Sequence, residues 1–587
     1  QTPEYKRLLA GMAGAKPAVV ALFGMPPTAR AQMLAALCED TGRSALVVCA
    51  GEADATRFAE DTAVFGRRAE VFPARDYVLR PVEGQSHEYE YRRLAVLGNL
   101  VGGRTSVACA PVEAVLQYTT PKQEFCGNTL TVKQGMAISM DVLIERLFGA
   151  GYLRRFQVDG PGQFSVRGGI VDIYAPDMQK PHRLEFWGDE VDSIHSFDLV
   201  SQREGAVKKI YLSPAREVLF GDTEAAARLL RTALSKAKPA YAEALADAMD
   251  GDLKALDAGT MPAAMDKYLA LRYEKPATIF EYFDAPIVFL NEAAKGVEFR
   301  FGEAFKGLLE EGVLAPGLDR FYEDTAYLLH ETEKRHAVVC ENFARTIPDL
   351  KLADTVNAQT HSLPPWGGEV SALADDLRPL TAQKYAVAVL AGTQRAAAAL
   401  ARDLAAAGFS AQAYHKEPPS LAPGSVGVFE GHLNAGADYP FAKFAVFTSR
   451  RHNAAAPQKA RAKNKGLSSL SDITPGDYVV HQNHGIGVYA GIQRLDLQGV
   501  VKDYIKINYD KADTLYVPVT QLDLISRYTA PGDGERVKLS KLGGDAWNKT
   551  KSRVRKATQE MAKELIALSA RRQQAQGYAF PEDNEWP

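Results

Sequence analysis

The sequence has few of the features that mark secreted, membrane or metal-binding proteins. It contains five cysteines in 587 residues, at Cys38, Cys49, Cys109, Cys126 and Cys340, with no CxxC pair and no histidine at ligand spacing. A disulfide framework or a zinc site is therefore not expected, and reduced thiols in apolar segments are the favoured interpretation. Because no signal peptide and no long apolar run is present, we expect a cytoplasmic chain that makes no membrane contact.

A large excess of charge is also missing. The formal net charge is −3, with 46% hydrophobic and 24% charged residues, so no overall basic field indicates nucleic-acid binding. A chain of 587 residues is too long for one hydrophobic core, and three to five domains are expected. Since the chain starts at Gln1 without Met and stops at Pro587, just after a helix and loop that close nothing, we expect a fragment of a longer protein.

The sequence also lacks the residues that a nucleotide-hydrolysing site needs. Residues 1–117 alternate apolar runs with helical patterns, which favours a parallel α/β sheet. The first strand leads into Gly24, but Ala29 and Arg30 replace the second Gly and the Lys of the P-loop pattern GxxxxGK[ST]. Asn291 stands where an Asp would hold Mg²⁺. We therefore predict a degenerate nucleotide site with no catalytic residues, metal or cofactor, made of Gly24, Ala29, Arg30 and Asn291.

The most distinctive stretch that is present runs from 474 to 528. Turn signals separate short runs rich in Val, Ile and Tyr, and the run at 500–509 alternates apolar with polar residues. This pattern predicts a small SH3/Tudor-like β-barrel. We interpret 491–499 as the connection between two of its strands, with Leu495 and Leu497 among polar residues. The predicted barrel core consists of Ile486, Val488, Ile505, Ile507, Val517 and Val519.

This stretch resembles the RNA-polymerase-interacting domain of the bacterial transcription-repair coupling factor family (Mfd). The resemblance lies in the blocks GDYVVH, HGIGVYAGI, DYIKINY, LYVPV and LISRY, followed by LGGDAW at Leu542–Trp547. It implies docking to the β subunit of RNA polymerase through Ile492, Leu495 and Leu497. The residues alone allow another interpretation, in which Leu495 folds back to cap the barrel core.

Residues 118–205 resemble the second domain of UvrB, a module that this coupling-factor family also carries. The matching blocks are GYLRRFQVDGPGQFSVRGGIVDIY, PHRLEFWGDEVDSI and FDLVSQR. The resemblance implies docking to UvrA through Arg167, Arg183 and Trp187, where Trp187 departs from the usual Phe. From composition alone, the two arginines would more simply pair with local carboxylates such as Asp172, Glu185 or Asp189 on a sheet face.

The chain as a whole is expected to be an α/β multidomain protein. A degenerate P-loop-like α/β domain carries an inserted α+β domain and is followed by a second small α/β domain, the β-barrel and a long C-terminal helix. The expected units are 1–117 and 206–335 for the degenerate domain, 118–205 for the insert, 336–450 for a spacer domain, 451–473 for a flexible basic linker, 474–535 for the barrel and 541–577 for the helix.

The combined resemblance implies the amino-terminal portion of a coupling factor, which docks to stalled RNA polymerase and to UvrA and so recruits nucleotide excision repair. On this interpretation the fragment itself is not an enzyme. ATP, Mg²⁺ and most duplex DNA contacts are expected in a translocase motor that this sequence does not contain. A UvrB-like helicase subunit is the alternative from another class, but it needs an intact P-loop. A CarD-like transcription regulator would share the barrel and leave residues 1–450 unexplained.

Overall fold

The computed structural model describes most of the chain up to Ser449 and parts of the remainder. The described residues are 2–75, 77, 88–199, 204–262, 265–273, 275–291, 309, 314–315, 318, 320–343, 347, 349–415, 420–449, 475–481, 484–497, 500–510, 513–518, 525–528, 539–541 and 547. The linker predicted at 451–473 and nearly all of the helix predicted at 541–577 lie outside them.

The chain begins with the first part of a parallel α/β unit. The apolar runs of residues 1–117 form strands, and β1, β2 and β4 are fully buried, as expected of strands that are covered on both faces of a parallel sheet. The elements are α1 (Pro3–Ala13), β1 (Val19–Phe23), α2 (Pro27–Thr41), β2 (Ala45–Cys49), α3 (Glu52–Val64), β3 (Ala69–Val71), α4 (Glu88–Val101), β4 (Val107–Pro111), α5 (Val112–Leu116) and α6 (Lys122–Gly127).

An inserted α+β unit follows. Its elements are β5 (Leu130–Lys133), α7 (Met140–Gly149), β6 (Leu153–Arg154), β7 (Gln163–Arg167), β8 (Ile170–Tyr174), β9 (His182–Trp187), β10 (Glu190–Phe197), β11 (Glu204–Ala206) and β12 (Lys209–Leu212). Strands β6 to β11 form one sheet in chain order, antiparallel except that β6 runs parallel to β7. Because β12 pairs with β5, the insert continues to Leu212, past the boundary at 205 that the sequence suggested.

The chain then returns to the parallel unit. The elements are α8 (Thr223–Ser235), α9 (Ala242–Asp257), α10 (Leu269–Arg272), β13 (Ile287–Leu290), α11 (Thr325–Glu333), β14 (His336–Glu341) and β15 (Asp354–Asn357), with 3₁₀ turns at Met265–Tyr268 and Ile279–Tyr282. The seven strands lie in the order β15-β1-β14-β13-β2-β4-β3, and all neighbouring strands are parallel. Buried side chains from α1, α2 and α3 cover one face, and those from α4, α5, α8, α9 and α11 cover the other.

This sheet extends further along the chain than the sequence indicated. Strands β14 and β15 lie within the range 336–450 that was assigned to the spacer domain, yet β1 pairs with both of them. The sheet therefore continues to Asn357. Sequence patterns miss this because a parallel strand pairs with strands that are distant in the chain, so its own residues carry no record of which sheet it joins.

A buried cluster of charges joins the two parts of this unit where the chain leaves the insert. The guanidinium of Arg93 donates to both oxygens of Glu217 at 2.7–3.0 Å, and both side chains are fully buried. Arg75 pairs with Asp266 at 2.6 Å, and Arg216 pairs with Glu90 at 3.0 Å. Because buried charges are tolerated only when they are paired, these contacts specify how the two chain segments meet.

A second α/β sheet follows. Its elements are β16 (His361–Leu363), α12 (Val370–Ala382), β17 (Ala386–Leu390), α13 (Gln394–Ala406), β18 (Ala411–Tyr414), β19 (Val426–Phe429), β20 (Gly436–Tyr439) and β21 (Phe444–Thr448), with a 3₁₀ turn at Pro440–Ala442. The order is β16-β20-β21-β17-β19-β18, with four parallel strands and an antiparallel pair at one edge. Leu373 and Leu377 of α12 and Leu400 and Leu404 of α13 pack on its core.

The last sheet is five-stranded and antiparallel. Its strands are β22 (Tyr478–His481), β23 (Gly485–Leu497), β24 (Val500–Asn508), β25 (Thr514–Pro518) and β26 (Ile525–Arg527), in the order β25-β24-β23-β22-β26. Closure of this sheet into an SH3/Tudor-like barrel stays a prediction. Among the expected core residues, Ile505, Ile507 and Val517 are buried, whereas Ile486 and Val488 are half-buried; Val519 lies outside the described residues. Val488 lies opposite the exposed Asn508, and Tyr489 fills the core opposite Ile507 instead.

Candidate docking surfaces and the degenerate nucleotide site

The three residues predicted to contact UvrA lie on one face of the insert's sheet. Asp172 of β8 pairs with Ser165 on one side and Arg183 on the other, and successive side chains alternate between the two faces. Arg167, Arg183 and Trp187 therefore share the face opposite the core residues of β7, β8 and β9. We call this surface the outer face.

Asp172 organises the two arginines. It is 2% exposed and accepts hydrogen bonds from Arg183 Nε and Nη2 at 2.8 and 3.1 Å and from Arg167 Nη2 at 2.8 Å. The Arg183 guanidinium also lies 4.7 Å above the centre of the Phe197 ring. The local pairing that the sequence left open is therefore present, with Asp172 as the partner. The pairing also holds both arginines in fixed positions, as a docking surface requires.

Trp187 is the most prominent apolar side chain of the outer face. It is 84% exposed and sits at the end of β9, before the two-residue turn at Gly188-Asp189. Gly188 has φ of +60°, a conformation that glycine adopts without strain. The turn at Gly168-Gly169 lies at the same end of the sheet, where the Phe186 N–H donates to the Gly169 carbonyl at 2.8 Å. Arg167 and Trp187 thus flank neighbouring turns.

The degenerate nucleotide site is filled by the side chain that replaces the P-loop lysine. Arg30 is 4% exposed, and its guanidinium donates to the Met25 carbonyl at 2.7 Å, to Asn291 Oδ1 at 3.3 Å and to Asn342 Oδ1 at 2.7 Å. Arg30 and Asn291 are therefore brought together, as their motif positions predicted. Sequence reasoning did not identify Asn342, because it follows β14, which had been assigned to another domain.

The turn before α2 is closed as well. Gly24 has φ of +73°, and a Cβ at this position would lie 2.6 Å from the Ala358 carbonyl oxygen. The backbone after β15 therefore packs directly against the turn, which requires glycine there. Ala29 is buried within α2. Pro26 and Pro27 have no N–H groups with which to bind an anion.

A cavity of about 330 Å³ remains beside this site, between α2, α3 and the chain before β20. Asp61 is 2% exposed and accepts hydrogen bonds from Thr28 Oγ1 at 3.1 Å and from Asn434 N and Nδ2 at 2.9 Å. Burial raises the pKa of the Asp61 carboxyl, although the hydrogen bonds from Asn434 and Thr28 act in the opposite direction. Asp54 and Arg57 also line the cavity and form an ion pair with each other, and Arg30 lines it as well, so its walls carry both signs of charge.

The residues predicted to contact RNA polymerase lie on a hairpin arm. Strand β22 pairs with β23 only as far as Val488, and β25 pairs with β24 only from Tyr504 onward. Among the described residues, the segment 492–497 therefore pairs only with β24, and the segment 500–503 pairs only with residues 494–497 of β23. We call these two segments the hairpin arm.

The hairpin arm corrects the interpretation of 491–499 as a connection. Strand β23 continues to Leu497, so Ile492, Leu495 and Leu497 are all strand residues. Ile492 is 48% exposed. The side chains of Leu495 and Leu497 lie outside the described part of the structure, so the core-capping alternative for Leu495 is not tested. Charged and apolar residues alternate from Arg494 to Leu497 with the period of a strand. A prediction based on unbroken apolar runs misses such a strand, because every second residue is charged.

The segment after the sheet packs against the start of β23. The Ser540 N–H donates to the Ile486 carbonyl at 2.8 Å, and the Ser540 carbonyl accepts from the Asp510 N–H at 3.1 Å. The Ser540 hydroxyl accepts from the Ile486 N–H at 2.9 Å. A Cβ at Gly485, where φ is +86°, would overlap Ser540 and the Trp547 ring. Gly485 in HGIG and Trp547 in LGGDAW are therefore close neighbours in the fold.

Two family profiles match the regions that carry these surfaces. The profile described as UvrB interaction domain matches residues 130–218, and the profile described as CarD-like/TRCF RID domain matches residues 473–529. The transcription-repair-coupling factor of Bacillus subtilis (strain 168) is 29% identical over 608 aligned residues, which include 100% of this chain. This chain is homologous to transcription-repair-coupling factors along its whole length.

Other coupling factors agree with this relationship. Those of Staphylococcus aureus strains Mu50 and USA300 are 27% and 26% identical over 95% of this chain. The chain covers 51% of the Bacillus protein and 49% of the two Staphylococcus proteins, so it spans about half the length of the relatives it matches. None of the described helices is long and apolar enough to cross a membrane. Within the same residues, no cluster of three or more His, Cys, Asp or Glu side chains could hold a metal ion.

Proposed function

We propose that this chain is the docking portion of a transcription-repair-coupling factor. It binds UvrA through the outer face of the insert and the β subunit of RNA polymerase through the hairpin arm, and so recruits nucleotide excision repair to stalled polymerase. The observation that carries the proposal is the outer face itself. Within the UvrB-interaction match, two arginines held by one buried Asp172 stand beside a Trp187 that is 84% exposed.

This combination is suited to an interface. Trp and Arg are enriched among the residues that dominate binding energy, and side chains already held in position lose little conformational entropy on docking. The arginines present cationic edges, whereas Trp187 offers a large apolar area. We assign Arg167, Arg183 and Trp187 to the UvrA contact on this basis.

The hairpin arm supports the polymerase contact. Both of its outer edges lack a neighbouring strand among the described residues, so their N–H and C=O groups are available for pairing with an edge strand of the β subunit. Ile492 adds an exposed apolar side chain on the arm. We assign Ile492, Leu495 and Leu497 to this contact, and we propose that the five-stranded sheet is the SH3/Tudor-like barrel that presents them.

We further propose that this chain is not an enzyme and needs no cofactor. All three guanidinium nitrogens of Arg30 donate to protein oxygens, on Met25, Asn291 and Asn342, where a P-loop lysine would meet a nucleotide phosphate. Asn291 carries no charge to hold Mg²⁺. In this proposal ATP hydrolysis and most duplex DNA contacts belong to a translocase motor in the intact protein. A UvrB-like helicase activity would need the residues that Ala29, Arg30 and Asn291 replace.

The test is a pair of binding assays on the same variants. Arg167→Ala/Arg183→Ala should weaken UvrA binding by about thirtyfold or more and leave β-subunit binding unchanged. Leu495→Arg should do the reverse, because it puts a charge into a contact that excludes water. Circular dichroism verifies that both variants are folded. Normal UvrA affinity in the folded double variant would remove the outer face from the proposal, and normal β-subunit affinity of Leu495→Arg would remove that residue from the arm's contact.

A further inference from the structure

The insert carries a second exposed apolar segment at the edge of the same sheet. All five residues from Leu153 to Gln157 are exposed, and Phe156 is 86% exposed, slightly more than Trp187. The segment is held at both ends, because Tyr152 and Val158 are each 2% exposed. The Arg155 N–H also donates to the Phe164 carbonyl at 2.8 Å. An aromatic side chain is thus exposed on a backbone that is fixed at both ends and along its length. We call 153–157 the edge segment.

The edge segment continues the outer face. Leu153 lies opposite Gln163 in the ladder between β6 and β7, so it shares the outer face with Gln163, Ser165 and Arg167. Arg154 lies opposite the core residue Phe164 and is exposed at the sheet edge on the other face, so the segment spans the edge. Three strand spacings of about 4.8 Å and two residue rises of about 3.3 Å put Leu153 about 16 Å from Arg183. An interface of ordinary size covers about 800 Å² on each partner, which corresponds to a patch about 30 Å across. One partner can therefore cover both.

The charge of the edge segment indicates what kind of surface would bind it. Arg154 and Arg155 are both exposed, and of the described residues none presents a carboxylate within 4 Å of either guanidinium. On the outer face, Arg167 and Arg183 are offset by Asp172 and by Glu185 and Glu190, which the strand register places on the same face. The excess of positive charge therefore lies at the edge segment. The partner surface that complements it is acidic.

We propose that the UvrA contact extends over the sheet edge, with Phe156 as a second aromatic anchor and with Arg154 and Arg155 against an acidic region of UvrA. This inference rests on the proposed docking of UvrA to the outer face. It adds an apolar contact to the predicted site and assigns a sign to the charge of the UvrA surface that receives it. Strand β6 is also the last strand of its sheet, so one edge of the segment faces away from β7.

The inference is tested by titrating UvrA against variants of the whole 587-residue chain. Phe156→Ala should weaken binding about tenfold, and Arg154→Glu/Arg155→Glu by at least as much at about 0.05 M salt. The loss from the charge reversal should shrink at about 0.5 M salt, where exposed charges are screened over a few ångströms. Phe441→Ala is the matched control, because Phe441 is 62% exposed in the second α/β sheet unit and should not affect UvrA binding.

The outcomes separate this inference from the proposed function. If Phe156→Ala and the charge reversal both bind UvrA normally while Arg167→Ala/Arg183→Ala does not, the edge segment is not part of the contact and the outer face stands. If charge reversal strengthens binding, the UvrA surface is basic and the inference is wrong. Unchanged binding in all of the variants would overturn the outer face together with its extension. Because Phe156 and both arginines are exposed, we expect thermal melting of these variants to match that of the unaltered chain.

Discussion

Replacing Trp187 by Ala should separate docking from folding more cleanly than any change to the arginines. Trp187 is 84% exposed, so its removal leaves little unfilled space in the free protein. We expect the free energy of unfolding to change by no more than about 0.5 kcal/mol, as for other exposed positions. Arg183 is different, because its loss would leave the buried Asp172 with Arg167 as its remaining ion-pair partner and would cost stability as well.

The effect on binding follows from the area that Trp187 offers. A tryptophan side chain buries about 200 Å² at an interface, and at about 25 cal/mol per Å² its exposed fraction corresponds to roughly 4 kcal/mol before losses. Ordering of the side chain and desolvation of polar neighbours reduce the gain, so we expect a loss of about 2 kcal/mol, or roughly thirtyfold in affinity for UvrA. Trp187→Phe should retain most of the affinity, because the aromatic contact is kept.

The assay is calorimetric or optical titration of UvrA with the unaltered chain, Trp187→Ala and Trp187→Phe, together with thermal melting of each. Thirtyfold weaker binding at unchanged melting temperature is the expected result for the alanine variant. Equal affinity of Trp187→Ala and the unaltered chain would refute the reasoning, since it would mean that this exposed ring is not buried by UvrA. Equal losses in the Ala and Phe variants would instead point to the indole N–H.

Three further predictions concern other parts of the chain. Calorimetry should detect no ATP binding by the chain or by Arg30→Lys, since Asn291 and the two prolines at the start of α2, Pro26 and Pro27, remain. Micromolar affinity in either protein would contradict a degenerate site. In urea titrations, Glu217→Gln should lower the free energy of unfolding by about 3 kcal/mol, because Arg93 keeps a buried, uncompensated charge. The control Glu224→Gln removes an ion pair whose two side chains are both over 60% exposed and should cost under about 0.5 kcal/mol. Equal urea midpoints of the two variants would show that the buried cluster is not needed for stability. Gly485→Ala should destabilise the last sheet by about 1–3 kcal/mol more than Gly476→Ala. Both glycines have positive φ, but only Gly485 faces Ser540 and Trp547. Equal losses of unfolding free energy in the two variants would mean that this packing contributes nothing.

The comparison of sequence with structure is clearest at the degenerate site. The sequence alone shows that the P-loop lysine and the magnesium-binding Asp are absent, because these are identities at motif positions. It does not show what Arg30 does instead. The bond from Arg30 to Asn342 crosses 312 positions of the chain, and no local pattern records a contact at that separation.

The insert illustrates the same division. Its strands and turns follow from alternating residues and from glycines at the hairpin positions, so Arg167, Arg183 and Trp187 can be placed on strands from the sequence. Their shared face depends on the register between β7, β8 and β9. Register also decides that Asp172 is the common partner of the two arginines, a choice that the sequence left open among three carboxylates.

The sequence by itself thus determined the α/β class, most strand positions and the motif identities, because these depend on composition, periodicity and single residues. Tertiary structure alone decided which strands share a sheet, where the units end, which side chain fills the nucleotide site and which aromatic residues stay exposed. Phe156 and Phe164 are eight residues apart, yet Phe156 is 86% exposed and Phe164 is fully buried. Their burial differs because β6 ends at Arg154 on the sheet edge, whereas β7 carries Phe164 over the core of the insert.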